Sequence, residues 1–254
     1  MLLTKSYKQL KMKKLLKFGI GNTKLDKDIM HFSLPSGLTC IGANSCKAWV
    51  TIKDNKKQLV RGKNSEFTCF SASLELIYPS LYESTRHNFK LVDEYVKKDD
   101  LKGLTELINE SLQEKRTKKI KKIRIHQSGD FYNRLYLEAW KNVAELNQDL
   151  IFYCYSKALI YFPTNKSIPN NFYLTASYGG KYDYLIDRGY FKRFSKVVFS
   201  EDEAKKLGLE IDKDDSCCLK NKPFALLLHG MQEKNTSSSE ALKEIKRNKK
   251  LVKV

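Results

Sequence analysis

The chain has 254 residues, of which 41% are hydrophobic and 11% aromatic, and this composition excludes a disordered protein. Its 47 Lys and Arg residues exceed its 29 Asp and Glu residues, so the net charge is +18. No stretch approaches the roughly 18 uninterrupted apolar residues of a membrane span, and the N-terminus lacks a signal-peptide pattern. We therefore expect a cytoplasmic protein with no membrane partner. The positive surplus favours nucleic acid as partner, the alternative being a lysine-rich but merely soluble surface.

The first ninety residues carry few regular patterns. We predict a basic N-terminal arm over residues 1–30. Residues 31–90 hold three cysteines and two histidines without clear periodicity, so we expect a Cys-containing, loop-rich segment with one short helix from Glu75 to Leu81. Leucines and an isoleucine at helical spacing between residues 101 and 112 then predict an amphipathic helix.

Strand and helix patterns alternate over the rest of the chain. The predicted strands are 121–126, 150–155, 172–176, 196–199 and 224–228, and the predicted helices are 133–147, 182–188, 201–207 and 240–250. Such alternation is typical of an α/β fold with a mostly parallel sheet, either an open layer or a (β/α) barrel, complete or incomplete. We predict one catalytic domain over 31–236, with its alternating core at 91–236, and a basic C-terminal helix or tail at 237–254.

The most informative segment is the run from Arg124 to Tyr132, which leaves a strand and enters a helix. In parallel sheets the carboxyl ends of the strands share one edge, where active sites form. Asp130 could cap the helix, act as a nucleophile or accept a bond from a base edge, and Gly129 leaves room for a planar substrate. The candidate strand-end residues are His126, Ser128, Gly129, Asp130, Phe131, Tyr132, Lys157, Ser177 and His229. For Ser177 a plain loop or capping role is the favoured interpretation.

Basic residues cluster at both termini and in the run from Lys115 to Arg124. Such patches bind phosphates without sequence preference. The predicted nucleic-acid-binding residues are Lys115, Arg116, Lys118, Lys119, Lys121 and Lys122.

The six cysteines contain no CxxC pair, which excludes a standard zinc ribbon. We nevertheless predict a metal clip made by Cys40, Cys46, Cys69 and one of Cys217 or Cys218. Zinc is the predicted metal, and an iron–sulfur cluster is the alternative. Buried, unpaired thiols are the other interpretation, and Cys154, within an apolar strand, is predicted to be core.

Several blocks in order resemble a phage protein family of the gene-product-eighty-eight type. They include His31–Cys40 with Cys46, Phe67–Ser73, Arg124–Tyr132 and Phe224–Gly230. The resemblance covers roughly residues 31–230 and implies a location in the host cytoplasm. Where that family carries a histidine after Asp-Asp-Ser, this chain has Cys217, another zinc ligand.

More distantly, the chain resembles the tRNA-guanine transglycosylases, in particular the DpdA-like branch that acts on phage DNA. This resemblance implies a (β/α) barrel with a zinc clip that exchanges guanine for a 7-deazaguanine base such as preQ0. Asp130 would attack C1′, and Asp214 or Asp215 would transfer the proton. Lys157 would contact a phosphate, and Tyr132 would stack on the extruded base.

Two other functions stay open. The same cysteines could serve an iron–sulfur or radical-type enzyme. Alternatively, the chain could be a non-catalytic, basic DNA-binding protein in which a metal is only a structural staple. The oligomeric state cannot be predicted from these patterns.

Overall fold

The computed structural model describes residues 14–22, 24–162 and 168–251. The strands are β1 (Gly19–Ile20), β2 (Ile29–Ser33), β3 (Ala48–Lys53), β4 (Lys56–Arg61), β5 (Lys122–Ser128), β6 (Ile151–Ser156), β7 (Phe172–Ser177), β8 (Phe194–Val198), β9 (Glu210–Ile211) and β10 (Phe224–Leu227). The helices are α1 (Phe70–Ile77), α2 (Pro79–Val96), α3 (Leu101–Lys115), α4 (Arg134–Leu146), α5 (Tyr184–Asp187), α6 (Glu201–Lys206) and α7 (Ser237–Leu251). None of the helices in these ranges is long and apolar enough to cross a membrane.

Eight strands form one sheet in the order β1-β2-β5-β6-β7-β8-β10-β9. β1 runs antiparallel to β2, and the other neighbouring pairs are parallel. The predicted α/β class with a mostly parallel sheet is confirmed. Closure into a barrel stays a prediction.

The core lies between one face of the sheet and helices α3 and α4. The apolar stripe of α4 is buried because its members recur at helical spacing. At its centre, the Trp140 ring contacts the rings of Phe18, Phe32 and Phe152, with centroid distances of 6.2, 5.3 and 6.4 Å. Large aromatic side chains bury the most apolar area per residue, so Trp140 joins the N-terminal segment to the central strands.

The described residues 14–22 and 24–30 of the predicted N-terminal arm pack on the domain. Leu16 and Phe18 are buried in the core, and the backbone N–H of Leu16 donates to Ser111 Oγ on α3 at 2.9 Å. Residues 19–20 form β1, and the predicted boundary at residue 30 falls inside β2. Residues 1–13, with most of the N-terminal lysines, lie outside the described residues.

The loop-rich description of residues 31–90 is also wrong in part. The segment contains most of β2, a separate β3–β4 ribbon, α1 and much of α2. The helix predicted from Glu75 to Leu81 is broken at Tyr78, because Pro79 fits the first turn of a new helix but cannot continue the preceding one. A long loop from 34 to 47 remains and reaches the carboxyl edge of the sheet.

The predicted C-terminal helix is confirmed as α7, and its apolar side packs against the domain. Leu242 and Ile245 pack with Phe67 and Leu228 in a small apolar cluster. This contact brings the basic helix against residues next to the cysteine-bearing loop.

A second feature organises the other face of the sheet. Asp215 is buried in a left-handed conformation, with φ at 64°. It forms ion pairs with Arg124 on β5 and, at 2.8 Å, with Lys24. Burial pushes the pKa of Asp215 upward, but the Arg124 guanidinium and the Lys24 ammonium outweigh it and hold that pKa below its usual range. Asp215 thus ties the segment before β10 to the start of β5.

Replacing Asp215 by Ala should destabilise the fold by about 3 kcal/mol at pH 7, because it leaves a buried guanidinium without its partner. The exposed neighbour Asp214 bonds only locally, accepting from the Ser216 N–H at 3.0 Å and from the Ser216 side chain, so Asp214→Ala should stay within about 0.5 kcal/mol of wild type. Chemical denaturation measures both. Since the Asp215 pKa is depressed, its contribution is present above the usual Asp pKa and should fade as the pH drops below about 4. Equal losses for the two variants would contradict this account.

Candidate functional site

The loop after β5 carries the segment singled out in the sequence. His126 has a φ of 66° at the point where the β2–β5 register shifts. Its ring is buried, its Nε2 lies 2.8 Å from the Tyr136 hydroxyl, and it packs on Phe131. Burial lowers the pKa of His126 to about 3, so the ring is neutral near pH 7. The structure therefore places His126 in the aromatic core, where its side chain is buried.

Asp130 is 4% exposed and fully engaged by its own chain. One carboxylate oxygen accepts from Ser156 Oγ and from the Phe131 N–H, both at 2.7 Å, and the other accepts from the Lys157 N–H at 2.8 Å. Thr39 Oγ1 accepts from the Asp130 N–H at 3.2 Å. Burial raises the pKa of Asp130 to about 6, although these donors and the Lys157 charge oppose the shift. Asp130 thereby joins the loops after β5 and β6 to the 34–47 loop.

The remaining residues of this loop also have structural partners. Ser128 Oγ donates to Glu75 at 2.6 Å, and Gly129 adopts a φ of 86° where a Cβ would lie 2.7 Å from Thr39 Oγ1. Phe131 is fully buried. The Tyr132 hydroxyl donates to Asp93 at 3.3 Å. These contacts fill the space beside Gly129, where the sequence predicted room for a planar substrate.

An ion pair between a buried Glu and a part-buried Arg, which sequence patterns did not indicate, supports this loop. Glu75 on α1 pairs with Arg86 on α2, and its other oxygen accepts from the Ser36 N–H at 2.7 Å. A single Glu in the apolar α1 and a single Arg in α2 carry no pattern that marks them as partners. Only the tertiary structure brings the buried Glu75 to Arg86 and Ser128.

Lys157 follows β6 at the carboxyl edge of the sheet. It is 8% exposed, and its Nζ donates to Ser177 Oγ at 2.5 Å and to the Tyr178 carbonyl at 2.6 Å. A buried ammonium is costly unless it is hydrogen-bonded. Lys157 and Ser177 therefore meet at the carboxyl edge, as predicted from the strand ends.

Three of the four predicted metal ligands come to the same edge. Burial raises the pKa of Cys40 well above its usual value, and the neighbouring Asp130, Cys69 and Cys46 add to the shift. Burial likewise raises the pKa of Cys69 to about 11, with Cys46 contributing. Cys217 is elsewhere, packed with Phe224 near the amino ends of the strands. In the described parts of the chain, no group of three or more His, Cys, Asp or Glu side chains is placed to hold a metal ion.

The other predicted site residues fall into two places. His229 follows β10 on the carboxyl side, where its ring lies 4.3 Å from that of Phe70. Asp214 and Asp215 lie near Arg124, four residues before Ser128, so about 13 Å of strand separates them from the Asp130 loop. The structure does not bring these acids to Asp130.

The predicted nucleic-acid-binding run lies at the opposite edge of the sheet. Residues 115–122 connect the end of α3 to the start of β5, about 20 Å of strand from Ser128. Arg116 pairs with Asp149, and Lys122 pairs with Asp28 at 3.2 Å, so part of this charge is already neutralised. Exposed lysines in the run include Lys118 and Lys119.

A cavity of about 380 Å³ opens at the carboxyl edge between the ends of β7 and β8, and we call it the edge cavity. Its lining includes Ser45, Glu66, Phe67, Tyr178, Asp183, Lys196, Phe199 and Glu203. Beneath it, a Cβ on Gly179 would lie 3.9 Å from Lys157 Cε. The cavity thus adjoins the Lys157–Ser177 pair.

The carboxylates of the edge cavity differ in their partners. Asp183 accepts from the N–H groups of Gly179 and Gly180, both at 2.9 Å, and Glu203 accepts from the Phe199 N–H at 2.7 Å. Glu66 instead accepts from Ser45 Oγ at 2.7 Å. Two of the three therefore hold backbone turns. Sequence patterns missed Glu66 because it lies between strand and helix in a segment without periodicity.

The sequence matches a known protein family over most of its length. The family model described as Gene product 88 matches residues 1–249. The chain belongs to the Gene product 88 family. It is also similar to the Gene 88 protein of Mycobacterium phage L5, with 30% identity over 90 residues that cover 35% of this chain and 38% of the phage L5 protein. No solved structure matches.

Membership in the Gene product 88 family confirms the phage resemblance seen in the sequence. The matched part of the phage L5 protein is well under two thirds of its length. The transglycosylase resemblance has no counterpart in these comparisons and stays a prediction.

Because burial raises the Asp130 pKa to about 6, folding favours its protonated form. Its stabilising contribution is complete below the usual Asp pKa and is lost as the pH rises through about 6. Asp130→Asn should remove this dependence. Relative to the variant, wild type should lose on the order of 2–3 kcal/mol of unfolding free energy between pH 4 and 7. Denaturant titrations at several pH values measure it. Parallel stability curves, offset by the same amount at every pH, would refute the raised pKa.

Proposed function

We propose that this Gene product 88 protein is a DNA-modifying enzyme that exchanges guanine in phage DNA for a 7-deazaguanine base of the preQ0 type. The observation that carries the proposal is the edge cavity, where aromatic side chains and carboxylates meet at the carboxyl edge of a parallel sheet. Its volume of about 380 Å³ lies in the usual range for small-molecule sites. A net charge of +18 suits a polyanionic substrate.

The lining of the edge cavity matches a purine. Tyr178 and Phe199 are part-buried side chains of the lining that could stack on a base, and Glu66 offers an acceptor for the N–H donors on the Watson–Crick edge of guanine. The Lys196 ammonium, 5.9 Å from the centre of the Tyr178 ring, could contact a phosphate. A base removed from the DNA stack would be held there against water.

We assign the nucleophile to Glu66 rather than to Asp130. Asp130 is buried and accepts three hydrogen bonds that organise the loops, which suits a positioning residue. A Glu66 carboxylate oxygen would form a bond to C1′ as the bond from C1′ to the guanine N9 breaks. The incoming base would then attack C1′ through its N9 and displace the carboxylate. The proton taken up by guanine is released by the incoming base, so the exchange is balanced.

The finer fold prediction belongs to this proposal. We infer that the parallel strands of the main sheet form an incomplete (β/α) barrel, which is the fold implied by the transglycosylase resemblance. The parallel pairing and the position of the edge cavity beyond the carboxyl ends of β7 and β8 support this inference.

Glu66→Gln should lower base exchange about 100-fold or more, because the amide cannot act as the nucleophile. Mass spectrometry of nucleosides, from DNA co-expressed with the protein and a preQ0 supply, measures the product. The matched control is Glu145→Gln, an exposed position on α4, which should retain full activity.

Two outcomes would contradict different parts of the proposal. Unmodified guanosine, from wild-type protein that is folded and binds DNA, would exclude base exchange and favour the non-catalytic DNA-binding alternative. If the exchange occurs but survives Glu66→Gln and is lost in Asp130→Asn, the exchange stands and the nucleophile is Asp130.

A second candidate is the iron–sulfur enzyme, and the convergence of Cys40, Cys46 and Cys69 without Cys217 favours it. As placed, however, the thiols do not form a metal-holding group. We therefore derive no chemical step through zinc or a cluster.

If this candidate is correct, anaerobically purified protein should contain stoichiometric iron and sulfide, and Cys69→Ser should lose them. Cys154→Ser, which replaces a core thiol, should retain them. Elemental analysis decides the matter: zinc that is lost only in Cys69→Ser would indicate a structural clip. Metal-free wild type would exclude both the clip and the cluster.

A further inference from the structure

The β3–β4 ribbon stands apart from the main sheet, and its tip carries an unusual charge arrangement. The two strands pair in register from Ala48 opposite Arg61 to Lys53 opposite Lys56. Asp54 and Asn55 form the turn with φ values of 50° and 56°, as in two-residue hairpins of the I′ type. Two lysines directly opposite each other destabilise an antiparallel pair. A ribbon with this tip is better suited to contact with an anion than to isolation in water.

One face of the ribbon is occupied by the protein itself. Val50 is buried, and its carbonyl accepts from Arg86 at 3.2 Å. The Lys57 ammonium lies 4.4 Å from the centre of the Tyr82 ring. This inner face therefore docks on α1 and α2 and fixes the direction of the ribbon.

The opposite face is more exposed towards the tip. At its base, Trp49 is part-buried and lies against Gly37. Because side chains alternate along a strand, the cross-strand pairs on this outer face are Trp49–Val60, Thr51–Gln58 and Lys53–Lys56. Lys53, Lys56 and Gln58 are exposed. At the tip, the neighbouring Ile52 of the inner row is also 56% exposed. Over residues 48–61 the chain carries four basic residues and one acidic residue, Asp54.

We propose that the outer face of the β3–β4 ribbon binds the major groove of duplex DNA. The major groove is wide enough to admit a two-stranded β-ribbon. Lys53 and Lys56 would contact the phosphates, and Thr51 and Gln58 would face the base edges, where Gln pairs with adenine and the Thr methyl packs on thymine. The fit rests on shape and on charge complementarity together.

The base of the ribbon leads to the edge cavity. The backbone N–H groups of Glu66 and Phe67 donate to the Ser45 carbonyl at 2.8 and 3.1 Å, and Ser65 Oγ donates to the Lys47 carbonyl at 2.5 Å. From Ala48 to Lys53 the ribbon spans about 17 Å, or roughly five base pairs of duplex. DNA held by the ribbon would thus pass the cavity, whereas residues 115–122 lie at the far edge of the sheet. This inference rests on the proposed function for the identity of the polymer.

The test is binding without turnover. Fluorescence anisotropy with a labelled 20-base-pair duplex, over a series of salt concentrations, compares wild type with the double variant Lys53→Ala/Lys56→Ala. We expect at least a tenfold loss of affinity and a fall of about 2 in the slope of log K against log salt, since each phosphate contact contributes about 0.9. The matched control Lys98→Ala/Lys102→Ala removes the same charge at exposed positions beside the junction of α2 and α3 and should bind like wild type.

A second variant tests groove contact separately from charge. Thr51→Ala/Gln58→Ala should leave the salt slope unchanged but reduce the difference in affinity between duplexes of different sequence. Equal affinity of the ribbon variant and wild type would overturn the proposal, as would equal losses in ribbon and control variants. An identical loss of affinity for single-stranded DNA or RNA would also overturn it, because that result would show that the lysines act by charge alone and not by contact with a groove. Duplex binding is measured without turnover, so failure of base exchange and failure of the ribbon are distinguishable.

Discussion

The loops at the carboxyl edge of the sheet depend on the hydrogen bonds of the buried Asp130 carboxylate. It accepts from Ser156, from the Lys157 N–H and from the Phe131 N–H, and its own N–H donates to Thr39. These contacts hold together segments that are far apart in the sequence. Burying a carboxylate costs free energy unless donors surround it, so the loops that supply the donors must stay in place. The position of Lys157, and with it the floor of the edge cavity, follows from this constraint.

The two edges of the sheet use buried charge in different ways. At the amino edge, Asp215 meets Arg124 and Lys24, and the opposite charges lower its pKa. At the carboxyl edge, burial dominates and raises the pKa of Asp130. The first arrangement stabilises an ionised pair. The second raises the pKa of a carboxyl group whose hydrogen bonds join the loops after β5 and β6.

The sequence predicted the parallel core well because its signals are local. The helical spacing around Trp140 and the apolar strand at residues 150–155 indicated α4 and β6 correctly. It missed the β3–β4 ribbon, since four basic residues obscure the alternation of its strands. It also separated the N-terminal arm from the domain, because lysines hide the two apolar residues, Leu16 and Phe18, that enter the core.

Residue types and order along the chain were enough to determine the α/β class, the basic surplus and the phage family resemblance. They were also enough to indicate the carboxyl edge of the sheet as the location of a candidate site. Only the tertiary structure decided which side chains meet. It brought Lys157 to Ser177 and three thiols to one edge, and left Asp215 and Cys217 away from that site. It also revealed Glu66 in a cavity. The physical reason is that periodicity reports which face of an element is buried, whereas contacts between distant segments depend on strand order and on the hydrogen bonds available to buried charge.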